Sequence, residues 1–363
     1  MAGDLYIGLM SGTSLDGIDA VVANFDRPQV VVAARFEPFE SSLRTDLTAL
    51  LQPGADEIHR GALTANRLSL AYAQSVVALL ADAGLTPERI AAIGCHGQTV
   101  RHDPAAGYTV QLGNGALLAE LARIPVICDF RSRDIAAGGE GAPLVPAFHA
   151  RFFGKSDSAR AIVNIGGIAN ITYLPPTGEV FGFDCGPGNT LMDEWIGEHR
   201  GEQFDAQGEW ASGGQVIPDL LGRLRTDSYF ARTPPKSTGR ELFNLPWLRQ
   251  AIGPGHAPND VQSTLCQLTV DVIAEAIERD CPDTIEAYIC GGGTANEELM
   301  KRLRTRLPRI SVATTAALGI DPDWVEAVAF AWLARETLSN RPGNLPAVTG
   351  ASGPRVLGCI YPA

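Results

Sequence analysis

Gly8-Leu-Met-Ser-Gly-Thr-Ser-Leu-Asp-Gly-Ile-Asp19 links two apolar runs, Leu5–Met10 and Ile18–Asn24. Short apolar runs bounded by Gly, Ser, Thr and Asp read as strand, turn, strand. Val30–Phe36 follows as a third strand. The turn is built from residues with little bulk and many donors. Gly12, Thr13, Ser14, Leu15, Asp16, Gly17, Ile18 and Asp19 can wrap backbone N–H groups around a polyphosphate. Asp16 and Asp19 add carboxylates able to hold Mg²⁺ directly or through water. The same composition also makes an ordinary polar hairpin.

Working outward, the unit returns about 155 residues later. Arg160–Ile165 is an apolar strand, Gly166 and Gly167 make the turn, and Asn170–Leu174 is the second strand, with Val180–Phe183 as a third. Between the two hairpins, 41–83 has helical periodicity, Ile90–Cys95 and Pro125–Phe130 read as strands, and Gly115–Ala122 as a helix. Helices are expected at Asn189–His199, Val216–Arg225, Val261–Arg279, Asn296–Arg306 and Asp323–Leu338, with a strand at Ile285–Cys290. The texture is α/β. Two halves that open alike suggest a duplicated, two-lobed fold with a ligand cleft between the lobes.

Length agrees, since 363 residues fill about two domains. A net charge of −12, from 29 basic and 41 acidic residues, argues against a nucleic-acid partner. It leaves a phosphorylated ligand open, because Mg²⁺ and backbone N–H groups neutralise phosphate locally. No apolar run reaches the ~18 residues of a membrane span, and the N-terminus has no basic stretch or cleavage site, so a cytoplasmic location is expected. Seven cysteines with no C-x-x-C spacing suggest buried thiols rather than disulfides or a zinc site.

Further candidates sit at predicted strand ends, where ligands of α/β sheets collect. Cys290-Gly-Gly-Gly-Thr-Ala-Asn296 places Gly291, Gly292, Gly293 and Thr294 between strand and helix, open to a flat ring or a phosphate. Phe183-Asp-Cys-Gly-Pro-Gly-Asn-Thr190 puts Asp184 at a strand end, as base, metal ligand or helix cap. His96-Gly-Gln-Thr99 and Asp129-Phe-Arg131 offer compact polar groups, and Glu326 stands among apolar neighbours, where an exposed helical position is the ordinary reading. The one Gly-Lys-Ser, at 154–156, has His149 where a Walker A loop needs glycine, and no G-x-G-x-x-G follows a strand.

The order of these motifs resembles the sugar-kinase/Hsp70/actin superfamily. GLMSGTSLDGID (8–19), CHGQT (95–99), DFRSRDIAAGGEGAPLVPAFH (129–149), NIGGIANIT (164–172), FDCGPGN (183–189), KSTGRELFN (236–244), CGGGTANEELM (290–300) and PDWVEAVAFAWLA (322–334) look, in collinear order, like the anhydro-N-acetylmuramic acid kinases. Cys185, where that pattern carries Thr, is the one departure, and it is expected to soften the hydrogen bonding beside Asp184 without abolishing activity.

The resemblance implies an actin/hexokinase-like (ribonuclease H-like) fold with lobes 1–131 plus about 339–363, and 132–338. It implies ATP and Mg²⁺, a cytoplasmic homodimer, and a reaction that opens a 1,6-anhydro sugar bridge while phosphorylating O6. Carried over by motif, Asp184 is the base for the attacking water. Residues 12–19, Gly166 and Gly167 face the ATP phosphates, and Gly291–Thr294 lie near the adenosine. Gln98, Thr99, Asp129, Arg131 and Glu326 contact the sugar, with Arg131 a paired donor to its carboxylate. An ordinary hexokinase-type kinase fits the GPGN turn and the DFR segment poorly. An actin- or Hsp70-like ATPase needs a polymer interface or peptide-binding domain for which the chain has little room. A dehydratase-activating ATPase needs iron–sulfur cysteines that these spacings do not provide.

Overall fold

The computed structural model describes residues 5–12 and 14–363. Two compact units divide the chain, unit 1 being Met1–Phe148 with Trp324–Ala363 and unit 2 His149–Asp323. In chain order the first part of unit 1 contains β1 (Leu5–Met10), β2 (Gly17–Ala23), β3 (Val31–Pro38), α1 (Ser41–Leu50) and α2 (Glu57–Ala83). It continues with β4 (Ile90–Cys95), β5 (Gln98–Asp103), β6 (Tyr108–Leu112), α3 (Gly115–Ala122), β7 (Val126–Cys128) and α4 (Ser132–Ile135). Helix α5 (Val145–Phe153) leads into unit 2, with β8 (Ala159–Ile165), β9 (Ile168–Leu174), β10 (Phe181–Pro187) and α6 (Thr190–Arg200). Then come α7 (Glu209–Ser212), α8 (Pro218–Leu224), α9 (Leu245–Ala251), α10 (Pro258–Asp280), β11 (Thr284–Cys290), α11 (Glu297–Arg306) and β12 (Ser311–Thr314). Unit 1 is completed by α12 (Val325–Leu338), α13 (Pro346–Thr349) and β13 (Cys359–Tyr361).

The two sheets share one plan. In unit 1 an antiparallel meander β1-β2-β3 is extended from β1 by parallel β4 and β7, with β13 at the edge. In unit 2 the meander β8-β9-β10 is extended from β8 by parallel β11 and β12. The repeated hairpin read from the sequence is thus the start of a repeated sheet.

Unit 1 is held by helices on both faces of its sheet. On one, Leu68, Tyr72, Val76 and Leu79 of α2 are buried against β1, β2 and β4. On the other, α12 lies so close that a Cβ on Gly8 would stand 1.8 Å from the Ala327 carbonyl oxygen, and one on Gly94 2.0 Å from that of Phe330. Only glycine on the strands and a largely alanine face on the helix allow that approach. In unit 2, α10 is buried along most of its length in a core with β8, β9, β11 and α11.

Several limits move from the sequence reading. The 41–83 helix is two helices, broken at 51–56 around Pro53-Gly54, with Asp56 at φ +52°. The lobe limits move too. Asp134, fully buried, accepts hydrogen bonds from Asn344 Nδ2 at 2.6 Å and from the Thr349 hydroxyl at 2.8 Å. These bonds and the packing of α12 keep 132–148 and 324–338 with unit 1. Among the cysteines, five are buried, Cys128 is half-buried and Cys359 is exposed on the edge strand.

Candidate active site

In unit 1 the expected residues gather where β1, β4 and β7 end. The β1–β2 hairpin closes at the Met10–Asp19 pair, and its tip turns through Leu15 at φ +54°, a left-handed backbone rare for leucine. Leu15 N–H bonds the Gly12 carbonyl at 3.3 Å, and the Asp16 Oδ1 accepts from the Ser14 hydroxyl at 2.6 Å and from Gly17 N–H at 3.0 Å. Asp16 is exposed and keeps its Oδ2 free of these bonds; Asp19 lies half-buried within β2 beside Ile18. Thr13 lies outside the described residues.

Gln98 fixes the hairpin tip. Its Nε2 donates to the Gly12 carbonyl at 3.1 Å, while its Oε1 is buried with no hydrogen-bond partner. Thr99, next on β5, accepts from Gln111 Nε2 at 3.2 Å. Asp129 follows β7 at φ +56° and binds the Ser132 hydroxyl at 2.5 Å, which starts α4. Two residues on, the Arg131 guanidinium donates through Nη1 to the Gly141 carbonyl at 2.9 Å and meets His96 Nε2 through Nη2 at 2.9 Å and through Nε at 3.3 Å. Two of its five N–H groups remain uncommitted. Burial and the Arg131 charge push His96 down to about 3, so its ring is neutral and can accept from the guanidinium.

Glu326, in the first turn of α12, is half-buried rather than exposed. Burial raises its carboxyl pKa, against the pull of Arg131. A cavity of about 280 Å³ in unit 1 has His96, Asp129, Ser132, Gln111 and Asn114 in its wall, but Gln98, Thr99, Arg131 and Glu326 do not line it. The role of His96 in holding Arg131 is not visible in the sequence, because 35 positions separate the two.

Unit 2 carries the base candidate. Asp184 sits within β10, not at its end, just before a register shift between Asp184 and Gly186 that turns the strand. Its Oδ2 accepts from Thr238 N–H at 3.0 Å, and its own N–H donates to the Lys236 carbonyl at 3.1 Å. The Tyr229 hydroxyl donates to the Asp184 carbonyl at 2.8 Å. Burial pushes the carboxyl up to about 6, the Thr238 hydrogen bond opposes it, the Glu241 charge adds to it and Lys236 opposes it. Cys185 lies in the hydrophobic core of unit 2 and takes no part in these bonds. The 236–241 loop is what sequence reasoning left without a role; its signal was the KSTGRELFN motif.

The second hairpin, Gly166 and Gly167, is pinned to the start of α6. The Gly167 carbonyl accepts from Gly188 and Thr190 N–H, and the Gly166 carbonyl from Asn189 N–H. The third glycine turn divides by geometry. Gly291 has φ +81° and a Cβ there would meet Asn164 Oδ1 at 2.3 Å, while one on Gly293 would strike Ile165 Cγ2 at 2.3 Å. Gly292 has open space, so it is the glycine available to a ligand. Thr294 is turned back, its hydroxyl donating to the Gly291 carbonyl at 2.8 Å. An open hollow of about 530 Å³ in the same unit, walled by His199, Arg200, Trp210 and Asn259, contains none of the expected residues.

Among the described residues no three His, Cys, Asp or Glu side chains form a metal cluster, and no helix is long and apolar enough to cross a membrane. The donors at the first hairpin are hard oxygens of the kind Mg²⁺ takes one or two at a time, with phosphate and water completing its shell.

The family model for anhydro-N-acetylmuramic acid kinase matches residues 4–363. A protein of that name from Nitrosomonas europaea is 55% identical over 361 residues, covering 99% of each chain. Its namesake from Thiobacillus denitrificans is 54% identical over 363 residues, covering 99% of this chain and 97% of that one. One from Pseudomonas fluorescens is 52% identical over 360 residues and covers 99% of each. These matches extend over nearly the whole chain, and the chain belongs to the anhydro-N-acetylmuramic acid kinase family.

Proposed function

We propose that the chain cleaves the 1,6-anhydro bridge of 1,6-anhydro-N-acetylmuramic acid with water and phosphorylates O6 from ATP, giving N-acetylmuramic acid 6-phosphate and ADP in murein recycling. Asp184 carries the reading. It is a carboxylate held through Oδ2 by the Thr238 N–H, and burial pushes its pKa up to about 6, so it is basic enough to take a proton and still charged at neutrality. In the proposed step, Asp184 Oδ takes a proton from water as the water oxygen bonds to C1. The C1–O6 bond breaks, its electron pair stays on O6, and O6 takes the γ-phosphoryl as ADP leaves. Negative charge on Asp184 favours the oxocarbenium character that develops at C1.

Gln98, Thr99, Asp129, Arg131 and Glu326 are assigned to the sugar, with the two uncommitted Arg131 N–H groups directed at its lactyl carboxylate. Gly12–Asp19 and Gly166–Gly167 are assigned to the phosphates, and Gly291–Thr294 to the nucleoside, where Gly292 supplies the open position. Asp16 and Asp19 would hold Mg²⁺, whose part is to neutralise phosphate charge. A homodimer and a cytoplasmic site of action belong to the proposal through the family resemblance.

The test is turnover of ATP and the anhydro sugar in ¹⁸O-labelled water, with wild type and Asp184→Asn. Label at C1 of a 6-phosphorylated product, and a loss of ~10²-fold or more in the variant, are expected. Unlabelled product, or turnover of glucose instead, sinks the proposal.

A further inference from the structure

The loop that holds Asp184 also reaches the second glycine hairpin. Thr238 N–H is bonded to Asp184 Oδ2, and two residues on the Arg240 guanidinium lies over Gly167. A Cβ on Gly167 would stand 3.5 Å from Arg240 Nη2, 3.7 Å from its Nε and 2.7 Å from Thr190 Oγ1. Thr190 opens α6, an eleven-residue helix, and is 1% exposed, yet its hydroxyl has no hydrogen-bond partner. Arg240 is exposed, and its guanidinium makes no hydrogen bond or ion pair among the described residues. The carboxylate it faces is Asp193, one turn along α6 from Thr190, which burial pushes up to about 7 against the pull of Arg240.

The Arg240 guanidinium and the Thr190 hydroxyl are donors in want of an acceptor. A free guanidinium, a buried hydroxyl and the positive end of a helix converge on a turn without side chains, and that combination suits an anion with several oxygens. The loop adds a direction. Because Thr238 is fixed to the base and Arg240 follows it by two residues, the anion held by Arg240 lies beside the reacting centre. We propose that Arg240, with Thr190, binds the terminal phosphate of the nucleotide and so distinguishes the triphosphate from the diphosphate. The proposal rests on the kinase reading above.

Calorimetric titration of the full-length protein with a non-hydrolysable ATP analogue, ADP and AMP tests it, on wild type, Arg240→Ala, Arg240→Lys and Thr190→Val. Arg240→Ala is expected to weaken the triphosphate analogue by ~10–100-fold, ADP by about 3-fold or less, and AMP not at all. Arg240→Lys recovers part of that loss, because charge returns without the fork, and Thr190→Val weakens the analogue by about 3–10-fold. The melting temperature of Arg240→Ala stays at the wild-type value, since the side chain is exposed and unpaired. Unchanged binding of the analogue, or equal losses for analogue and AMP, overturns the assignment. Wild type that binds none of the three nucleotides overturns the kinase reading itself, and the assignment with it.

Discussion

A base that ionises near pH 6 leaves its mark on rate against pH. About nine-tenths of Asp184 is ionised at pH 7 and about one-tenth at pH 5, whereas an ordinary aspartate is ionised at both. If Asp184 must be charged to take the proton, kcat/KM falls nearly tenfold between those values and keeps falling about tenfold per unit below. Two neighbours move the midpoint in opposite directions. The Glu241 charge raises the Asp184 pKa and the Lys236 charge lowers it. Glu241→Gln should therefore shift the acid limb to lower pH, and Lys236→Met to higher pH. Each shift is expected to be under about one unit, because burial, the largest cause, survives both changes. Methionine keeps bulk over the Tyr229 ring, where the Lys236 ammonium lies 4.8 Å from the centroid. The assay is ADP release with the anhydro sugar between pH 4.5 and 8.5, and Asp184→Asn should give a low rate with no limb. A midpoint near pH 4, or shifts of the same sign in both variants, refutes the assignment of Asp184.

Other outcomes follow from particular contacts. Gly94→Ala puts a methyl group against the Phe330 carbonyl and should destabilise unit 1 by about 2–4 kcal/mol in thermal or urea unfolding; a loss under ~1 kcal/mol would show that α12 shifts freely. Gly292→Ala should leave the melting temperature unchanged and weaken ADP binding, while Gly293→Ala, which strikes Ile165, should lower the melting temperature. Asn344→Ala strips a hydrogen bond from the buried Asp134 carboxylate and should cost about 1.5–3 kcal/mol of stability, measured by urea unfolding. The His96 ring, held near 3 by burial and Arg131, should show no titration between pH 8 and 5 by NMR, and a midpoint near 6.5 would remove its neutral, accepting role.

The glycine-turned hairpins were legible because both signals are local: a short apolar run, then residues that accept tight turns. The same holds for α3, whose Asn114 cap accepts from Leu117 N–H at 3.0 Å, and for the strand carrying Gly94. The β5–β6 hairpin was missed although Asp103-Pro104 and Gly107 mark its turn and Tyr108, Val110 and Leu112 alternate along β6, since β5 has only Val100 as an apolar residue. The lobe limits were misplaced because Asp134 finds its partners Asn344 and Thr349 more than 200 positions away. The site divides likewise. Asp184 stood out by its glycine-rich surroundings, while the Arg131–His96 contact and the Arg240 approach to Gly167 join distant segments that periodicity does not connect.

Unit 2 interrupts unit 1 in the chain, and this sets an order of events during synthesis. Residues 149–323 are continuous, so unit 2 can complete its core as soon as they have emerged. The first 148 residues cannot, because α12, which covers Gly8 and Gly94, and Asn344, which satisfies Asp134, are made last. At ~10 residues per second the gap is on the order of 20 seconds. For that interval the nascent first sheet has one apolar face bare, and it is the stage at which holding chaperones would find this chain.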